Sequence, residues 1–561
     1  MWLPKFAVLV LLFALVYGQP RIDPLVNTNL GLIRGLQADD GDYSMFLGIP
    51  YAQVDEAKPF GVATPYPKFE AVYDAHNDSI VCPQIDKRTN VTIGTLDCLN
   101  LNLYVPTSAS ITNLLPVAIW LHGGGYREGS GNREIYGPRF LVRHDIIIVS
   151  VNYRLGPYGF MCLDVPECPG NQGLKDQLLA MRWVKNNIDE FGGDPNKITI
   201  FGESAGSRSV DYHLLSNNEK LYDKAILQSG SALKLNKRPI REAPFFLAKY
   251  LGFSTNNLTD ALELLAKVDS NLLIAAADNL ELMDDFRPCI ESEFQGVESI
   301  LTQNLAMVSV PKVNKMPILI GINDDESNAF YTSTEDQYYE NLNLVQEELL
   351  TDFDANNDDL EDMEEIVQQF YFGDVEMSAA IKQNVIDFSS DFLFIHPTIR
   401  SIYKYLDNEA ENIYFYVFSY VGQRNYFRRT LNVTDGKGAA HADELGYLFD
   451  VELMRHEQIT PRDKKLIGQM TTLWANFIKY GDPTPKPTNL LPLKWTPVTD
   501  KKRLPYLNIG TELTLGSRPF HERTAFWDLF YKVYGHLQRN DSLSEYNFLT
   551  VRSWRTILST L

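Results

Sequence analysis

Between residues 116 and 322 the chain alternates two hydrophobic patterns. Short apolar runs recur at residues 116–121 (PVAIWL), 146–151 (IIIVSV), 198–201, 224–227 and 317–322. Their length and β-branched content predict short, fully buried strands. Between the second and third runs, Leu174, Leu178, Met181, Val184 and Ile188 fall at helical spacing. Phe191-Gly192-Gly193-Asp194-Pro195 then predicts the helix stop. Strands alternating with helices predict an α/β fold, with a mostly parallel central sheet covered by helices on both faces. In such sheets ligands bind beyond the carboxyl ends of the strands. No repeat, low-complexity stretch or linker interrupts the pattern from about residue 25 to 530, so 19–535 read as one large domain with insertions. Residues 337–410 are acidic with helical spacing, which predicts helices with solvated faces. Beyond Trp527, the residues Val551, Trp554, Leu558 and Leu561 fall at helical spacing in a C-terminal tail spanning 536–561.

The N-terminus departs from this pattern. Lys5 precedes an apolar run over 6–17, and Gly18 follows. That predicts a signal peptide over 1–18, cleaved after Gly18, and a secreted, extracellular product. No other segment approaches the ~18 apolar residues needed to span a bilayer. Sequons at Asn77, Asn90, Asn257, Asn432 and Asn540 agree with export. The five cysteines are an odd count, which leaves at least one thiol without an intramolecular partner. Cys82 and Cys98 enclose a short polar segment and are expected to pair. Cys162 can pair with Cys168 or with Cys289, and the sequence leaves both open.

Composition narrows the partners. With 45% hydrophobic residues over 561 positions, disorder is excluded. A net charge of −21 argues against nucleic acid and anionic membranes as partners. It favours a soluble protein acting on small, neutral, apolar molecules.

The sharpest chemical signal is Gly202-Glu203-Ser204-Ala205-Gly206, which follows a predicted strand and precedes a predicted helix. G-x-S-x-G in that setting is a nucleophile elbow, where small neighbours let a serine occupy a tight, strained turn. A serine hydroxyl needs a base, and the elbow order is serine, acid, histidine. Of the later histidines (His213, His396, His441, His456, His521, His536), His441 alone lies in a small-residue, loop-like context. The acid is expected after the strand at 317–322, where Asp324, Asp325 and Glu326 compete. His122-Gly123-Gly124-Gly125 follows the strand at 116–121 and matches the HGGG oxyanion element of esterases. No metal or cofactor is called for.

These stretches lie within a longer series. FLGIPYA (46–52), DCLNLNL (97–103), WLHGGG (120–125), VNYRLGPYGF (151–160), PGNQGLKD (169–176), FGGDP (191–195), TIFGESAG (199–206), Gln228-Ser229-Gly230, GINDDE (321–326), GAAHADELGYLF (438–449) and LWANF (with Trp474 and Phe477) run in order along nearly the whole chain. The chain resembles the type-B carboxylesterase/cholinesterase family, and within it the secreted insect carboxylesterases. The resemblance implies the α/β-hydrolase fold and carboxylic ester hydrolysis through Ser204, His441 and Glu326. It implies oxyanion donors at Gly124, Gly125 and Ala205, with Glu203 and Ser229 tuning the histidine. It also places a disulfide at Cys82–Cys98. A lipase, or a catalytically silent adhesion homologue, are the alternatives.

The chain also departs from the family pattern. Leu96 and the Lys58-Pro59-Phe60 segment lack both partners of a salt bridge the family usually has there. The Cys82–Cys98 loop has no tryptophan to bind choline, which argues against a cholinesterase. Glu203, where juvenile-hormone esterases usually carry glutamine, argues mildly against that activity. After the elbow, Arg208 and Asp211 stand three apart on the predicted helix, a spacing at which the two can pair.

Overall fold

The computed structural model describes residues 24–540. Residues 1–18 and the apolar spacing at 551–561 lie outside that range. An eleven-stranded sheet runs through the centre. Its strands are β1 (Leu36–Gln37), β2 (Tyr43–Pro50), β3 (Asn100–Pro106), β4 (Leu115–Leu121), β5 (Ile147–Val151), β6 (Gly193–Glu203), β7 (Lys224–Gln228), β8 (Ile318–Asn323), β9 (Ile413–Phe418), β10 (Pro505–Ile509) and β11 (Leu513–Ser517). They are ordered β11-β10-β9-β8-β7-β6-β4-β5-β3-β2-β1. All neighbours from β5 to β10 are parallel, and the antiparallel pairs lie toward the two edges. This is the α/β-hydrolase arrangement.

The apolar runs form central strands because both sides of each strand are covered. Val117, Ile119 and Leu121 enter one core, while Ala118 and Trp120 enter the other. Helices α1 (Gln172–Asn187) and α2 (Ala205–Leu215) feed Leu178 and Leu214 to the first core. Strand β6 begins five residues before the apolar run, because Gly193 already pairs with Leu115 through a register irregularity.

The acidic region folds as helices, among them α3 (Leu344–Asp352), α4 (Asn357–Tyr371), α5 (Lys382–Ser390) and α6 (His396–Asp407). Glu361, Asp362 and Glu365 face solvent. Leu360, Met363 and Val367 point the other way, into a separate apolar cluster with Trp527 and Phe530. On the opposite face of the sheet, α7 (Pro461–Tyr480) adds Trp474 and Phe477 to the second core. Trp527 and Phe530 belong to α8 (His521–Tyr534).

Cys82 pairs with Cys98, and Cys162 pairs with Cys289 across 127 positions. Cys168 is left as a buried thiol, which burial pushes up to about 12. Where the family's salt bridge is missing, Leu96 packs against the core. The 58–61 segment is held instead by Arg154, whose Nη1 donates to the carbonyls of Pro59 and Gly61 at 3.0 and 2.7 Å. The other side of that guanidinium is engaged by Asp176 at 2.7 Å, and both side chains are fully buried. The buried charge is thus paired, as burial requires.

Candidate active site

Strand β6 ends at Glu203, helix α2 starts at Ala205, and Ser204 alone makes the turn. Its backbone sits at φ 57°, ψ −122°, a conformation an L-residue adopts only under constraint. The constraint is visible. The Ser204 N–H donates to the Gln228 carbonyl at 2.9 Å, and the Ser204 carbonyl accepts from Arg208 N at 2.9 Å. The flanking glycines are required by close approach. A Cβ on Gly206 would lie 1.9 Å from the Leu121 carbonyl oxygen, and one on Gly202 would lie 2.5 Å from the Gly206 backbone. Ser204 remains partly exposed while its neighbours are buried.

At the end of β8, the three competing carboxylates take different partners. Asp324 Oδ1 accepts from Ala439 N at 2.7 Å, and Asp325 Oδ2 accepts from Lys437 N and Gly438 N. Both hold the segment that leads to His441. Glu326 reaches the ring itself: its Oε2 lies 2.7 Å from His441 Nδ1, and its Oε1 accepts from Asn323 N at 2.7 Å. The His441 backbone N–H also donates to the Glu326 carbonyl at 2.9 Å. The structure thus brings Glu326 and His441 together and turns the two aspartates to backbone.

The other ring nitrogen, Nε2, faces Glu203 Oε1 at 3.1 Å. Ser204 Oγ makes no hydrogen bond among the described residues. Burial pushes the Glu203 carboxyl up to about 8, against the lowering pull of His441. For His441, burial acts downward. Glu203 and then Glu326 outweigh it and raise the imidazole to about 9. Two carboxylates therefore lean on one ring from opposite sides, with Glu444 as a third nearby charge. Glu444 is fully buried and accepts from Gln228 Nε2 at 2.9 Å and Asn323 Nδ2 at 2.8 Å. Gln228 in turn accepts from Trp474 Nε1 at 3.0 Å. Glu444, Gln228 and Trp474 each stand in stretches the sequence reading singled out, yet their linkage required the fold. The His441 ring is walled by Phe394, Phe330 and Phe427 at 4.6, 5.6 and 5.8 Å.

The segment after β4 forms the opposite wall. Gly124 (φ 104°) could not carry a side chain, since its Cβ would meet the Glu128 carbonyl at 2.2 Å. The loop is anchored by His122, whose ring stacks on Tyr153 at 4.3 Å and whose carbonyl accepts from Tyr153 Oη at 2.7 Å. Among the described residues, the N–H groups of Gly124 and Gly125 donate to no protein acceptor. Ala205 is the first residue of α2, so its N–H has no partner within the helix. Gly123 brings this wall onto the elbow: a Cβ there would lie 3.1 Å from Ser204 Cβ.

The remaining expectations divide. Ser229 is fully buried at φ 52°, and its hydroxyl has no hydrogen-bond partner among the described residues. Arg208 and Asp211 do not pair. Asp211 accepts from Ala232 N, Tyr405 Oη and Ser401 Oγ, whereas Arg208 turns to Tyr212 Oη and the Lys234 carbonyl. Neighbouring loops and α6 outcompete the local helical pairing. His213 and His396 are buried against Gln177 and Asp528, away from Glu326. Asn77, Asn90, Asn257, Asn432 and Asn540 are all exposed. Arg127 and Arg287 were not legible as site residues, since neither lies in a motif. They flank Gly125, with guanidinium nitrogens within 4 Å of a Cβ placed there.

Comparison with known proteins identifies the family. The carboxylesterase family model matches residues 22–527. Esterase FE4 of Myzus persicae is 33% identical, covering 81% of this chain and 82% of that protein. Mouse cholinesterase is 29% identical, covering 94% and 90%. Among solved structures, juvenile hormone esterase from Manduca sexta, crystallised with OTFP covalently attached, superposes with a TM-score of 0.79 at 26% identity, covering 91% of this chain and all of that one. The chain belongs to the carboxylesterase family and is a carboxylic ester hydrolase.

Proposed function

We propose that Ser204 is the nucleophile, His441 the general base and acid, and Glu326 the orienting carboxylate, and that hydrolysis proceeds through an acyl-enzyme. The observation that carries this reading is the 2.7 Å contact of Glu326 Oε2 with His441 Nδ1, beside a serine held at positive φ between β6 and α2. Ser204 Oγ attacks the ester carbonyl as His441 Nε2 takes its proton. Glu326 stabilises the resulting imidazolium, and Asn323 N–H keeps that carboxylate aimed. The N–H groups of Gly124, Gly125 and Ala205 receive the oxyanion, each worth about 3 kcal/mol of barrier. As the tetrahedral species collapses, the alcohol leaves with the proton from His441. Water then hydrolyses the acyl-enzyme by the same steps, releasing the acid and restoring Ser204.

His441 must be neutral to accept that proton. Its Nε2 is turned to Glu203, so a proton resting on the Glu203 carboxyl leaves the imidazole free. Rotation of the ring edge from Glu203 toward the adjacent Ser204 then completes the relay, and such contacts commonly tighten only with substrate bound. The phenylalanines around His441 favour an apolar alcohol half on that side. A small-molecule ester is therefore the substrate.

The enzyme works outside the cell. The exposed sequons, two disulfides and the leader-like residues 1–18 support this. The test of the catalytic reading is pre-steady-state kinetics with 4-nitrophenyl butyrate. A burst of nitrophenol stoichiometric with enzyme is expected, abolished in Ser204→Ala. Undiminished turnover by Ser204→Ala would sink the reading.

A further inference from the structure

The wall facing the phenylalanines is cationic. Arg287 Nη1 donates to the Gly125 carbonyl, and a Cβ on Gly125 would stand 3.7 Å from that nitrogen and 3.8 Å from Arg127 Nε. Arg208 lies one turn along α2 from the nucleophile, its N–H bonded to the Ser204 carbonyl. Three guanidiniums thus crowd the ground next to the oxyanion loop and the elbow. Their like charges, after burial, hold Arg287 down to about 10.

The protein matches this charge only in part. Asp284 Oδ1 accepts from Arg127 Nη1 at 2.5 Å and from Arg287 Nη2 at 2.7 Å, so one carboxylate serves two cations. Asp285 lies near Arg287, with Lys237 as a further cation, and Asp352 acts on Arg208 through space. Among the described residues, the hydrogen-bond acceptors of Arg208 are neutral, Tyr212 Oη and the Lys234 carbonyl. Among the described residues, the Nε atoms of Arg127 and Arg208 are buried without a hydrogen-bond partner. Desolvated N–H donors left unmade are costly, and a bidentate oxyanion is what guanidinium forks complement best. The Arg287 and Arg127 side chains keep 17% and 34% exposure, so the wall is open to a ligand.

The position of the wall says which half of an ester meets it. The leaving oxygen must lie near His441, which protonates it, and the carbonyl oxygen must lie at the glycine loop. The remaining substituent, the acyl chain, then runs away from the phenylalanines and past Gly125. We propose that Arg127, Arg208 and Arg287 form a subsite for a carboxylate carried on the acyl chain, so that the enzyme discriminates in favour of half-esters of dicarboxylic acids. This rests on Ser204 being the nucleophile. The net charge of −21 suggests neutral substrates, but it is a property of the whole surface. Contacts within a few ångströms decide the bound state.

The test compares mono-4-nitrophenyl adipate with 4-nitrophenyl hexanoate, matched in chain length, each corrected for its uncatalysed rate. The readout is the ratio of their kcat/KM values, in preparations whose active sites have been titrated with a fluorophosphonate so that misfolded protein is not counted. The ratio is expected to fall roughly tenfold or more in Arg208→Gln and Arg287→Gln, and to be partly restored in Arg287→Lys. A ratio that stays within about twofold of the parent in both glutamine variants overturns the subsite. If hexanoate turnover remains while that ratio is flat, only the subsite has failed. If the esters are turned over by an enzyme that the fluorophosphonate neither labels nor inactivates, the nucleophile assignment has failed instead.

Discussion

The two walls of the site are built by different physics. The elbow and glycine loop are fixed by steric exclusion: backbone lies so close to backbone that a single methyl on Gly206 would meet Leu121 at 1.9 Å. The histidine wall is fixed by buried hydrogen bonds and charge, with Glu203, Glu326 and Glu444 gathered around one imidazole. The first kind of wall is intolerant of volume and indifferent to pH. The second tolerates isosteric change but responds to every proton. The difference teaches where substitutions should destroy the fold and where they should only detune the chemistry.

The sharpest way to break the contrast is to fill the first wall. Gly206→Ala is expected to lose activity below detection and to cost several kcal/mol of stability, at about 3 kcal/mol or more for backbone displacement and overpacking. Its thermal melt and esterase rate, read together, check this; a folded and active variant would show that the elbow has slack. On the other wall, Glu326→Gln keeps shape and removes charge. The rate is expected to fall about 10³–10⁴-fold, because the imidazolium loses its stabiliser, while circular dichroism and melting change little. A collapse of the fold here would erase the distinction between the walls.

Glu203→Gln sharpens it further. Glu203 is the larger of the two influences raising His441, so its loss lowers the imidazole pKa. Because the neutral ring is the active form, the acid limb of the kcat/KM profile is expected to move to lower pH, with a rate loss of about tenfold or less. A limb that stays put or moves to higher pH would contradict the charge account. The smallest effect is expected for Ser229→Ala. Its hydroxyl makes no hydrogen bond among the described residues, so stability should remain within about 0.5 kcal/mol of the parent, as measured by urea titration.

The steric wall was the more legible in sequence. GESAG and HGGG write their constraints as glycines at fixed spacing, and the β-branched runs that carry them become β6 and β4 with their carboxyl ends at the site. The electrostatic wall was legible only in part. Charge alone could not separate Asp324, Asp325 and Glu326. The separation comes from the turn after β8, which spends the two aspartates on the backbone of residues 437–439 and leaves Glu326 facing the ring. Arg287 had no local signature, since a loop far along the chain delivers it to Gly125. The Cys162–Cys289 bond was one of two open pairings, because a separation of 127 positions carries no record of which ends meet. The Arg208–Asp211 pairing that the spacing allows does not form for a related reason: helical spacing describes what a helix offers itself, and Asp211 takes donors from Tyr405 and Ser401.

The central claim is that both walls converge on one oxygen, Ser204 Oγ. Peptide mapping by mass spectrometry after reaction with diethyl 4-nitrophenyl phosphate tests it most directly. One diethylphosphoryl group per chain is predicted on the peptide containing Ser204, with loss of esterase activity in proportion to labelling and no adduct in Ser204→Ala. Full loss of activity with the phosphoryl group on another residue, or equal labelling of Ser204→Ala, would contradict the account.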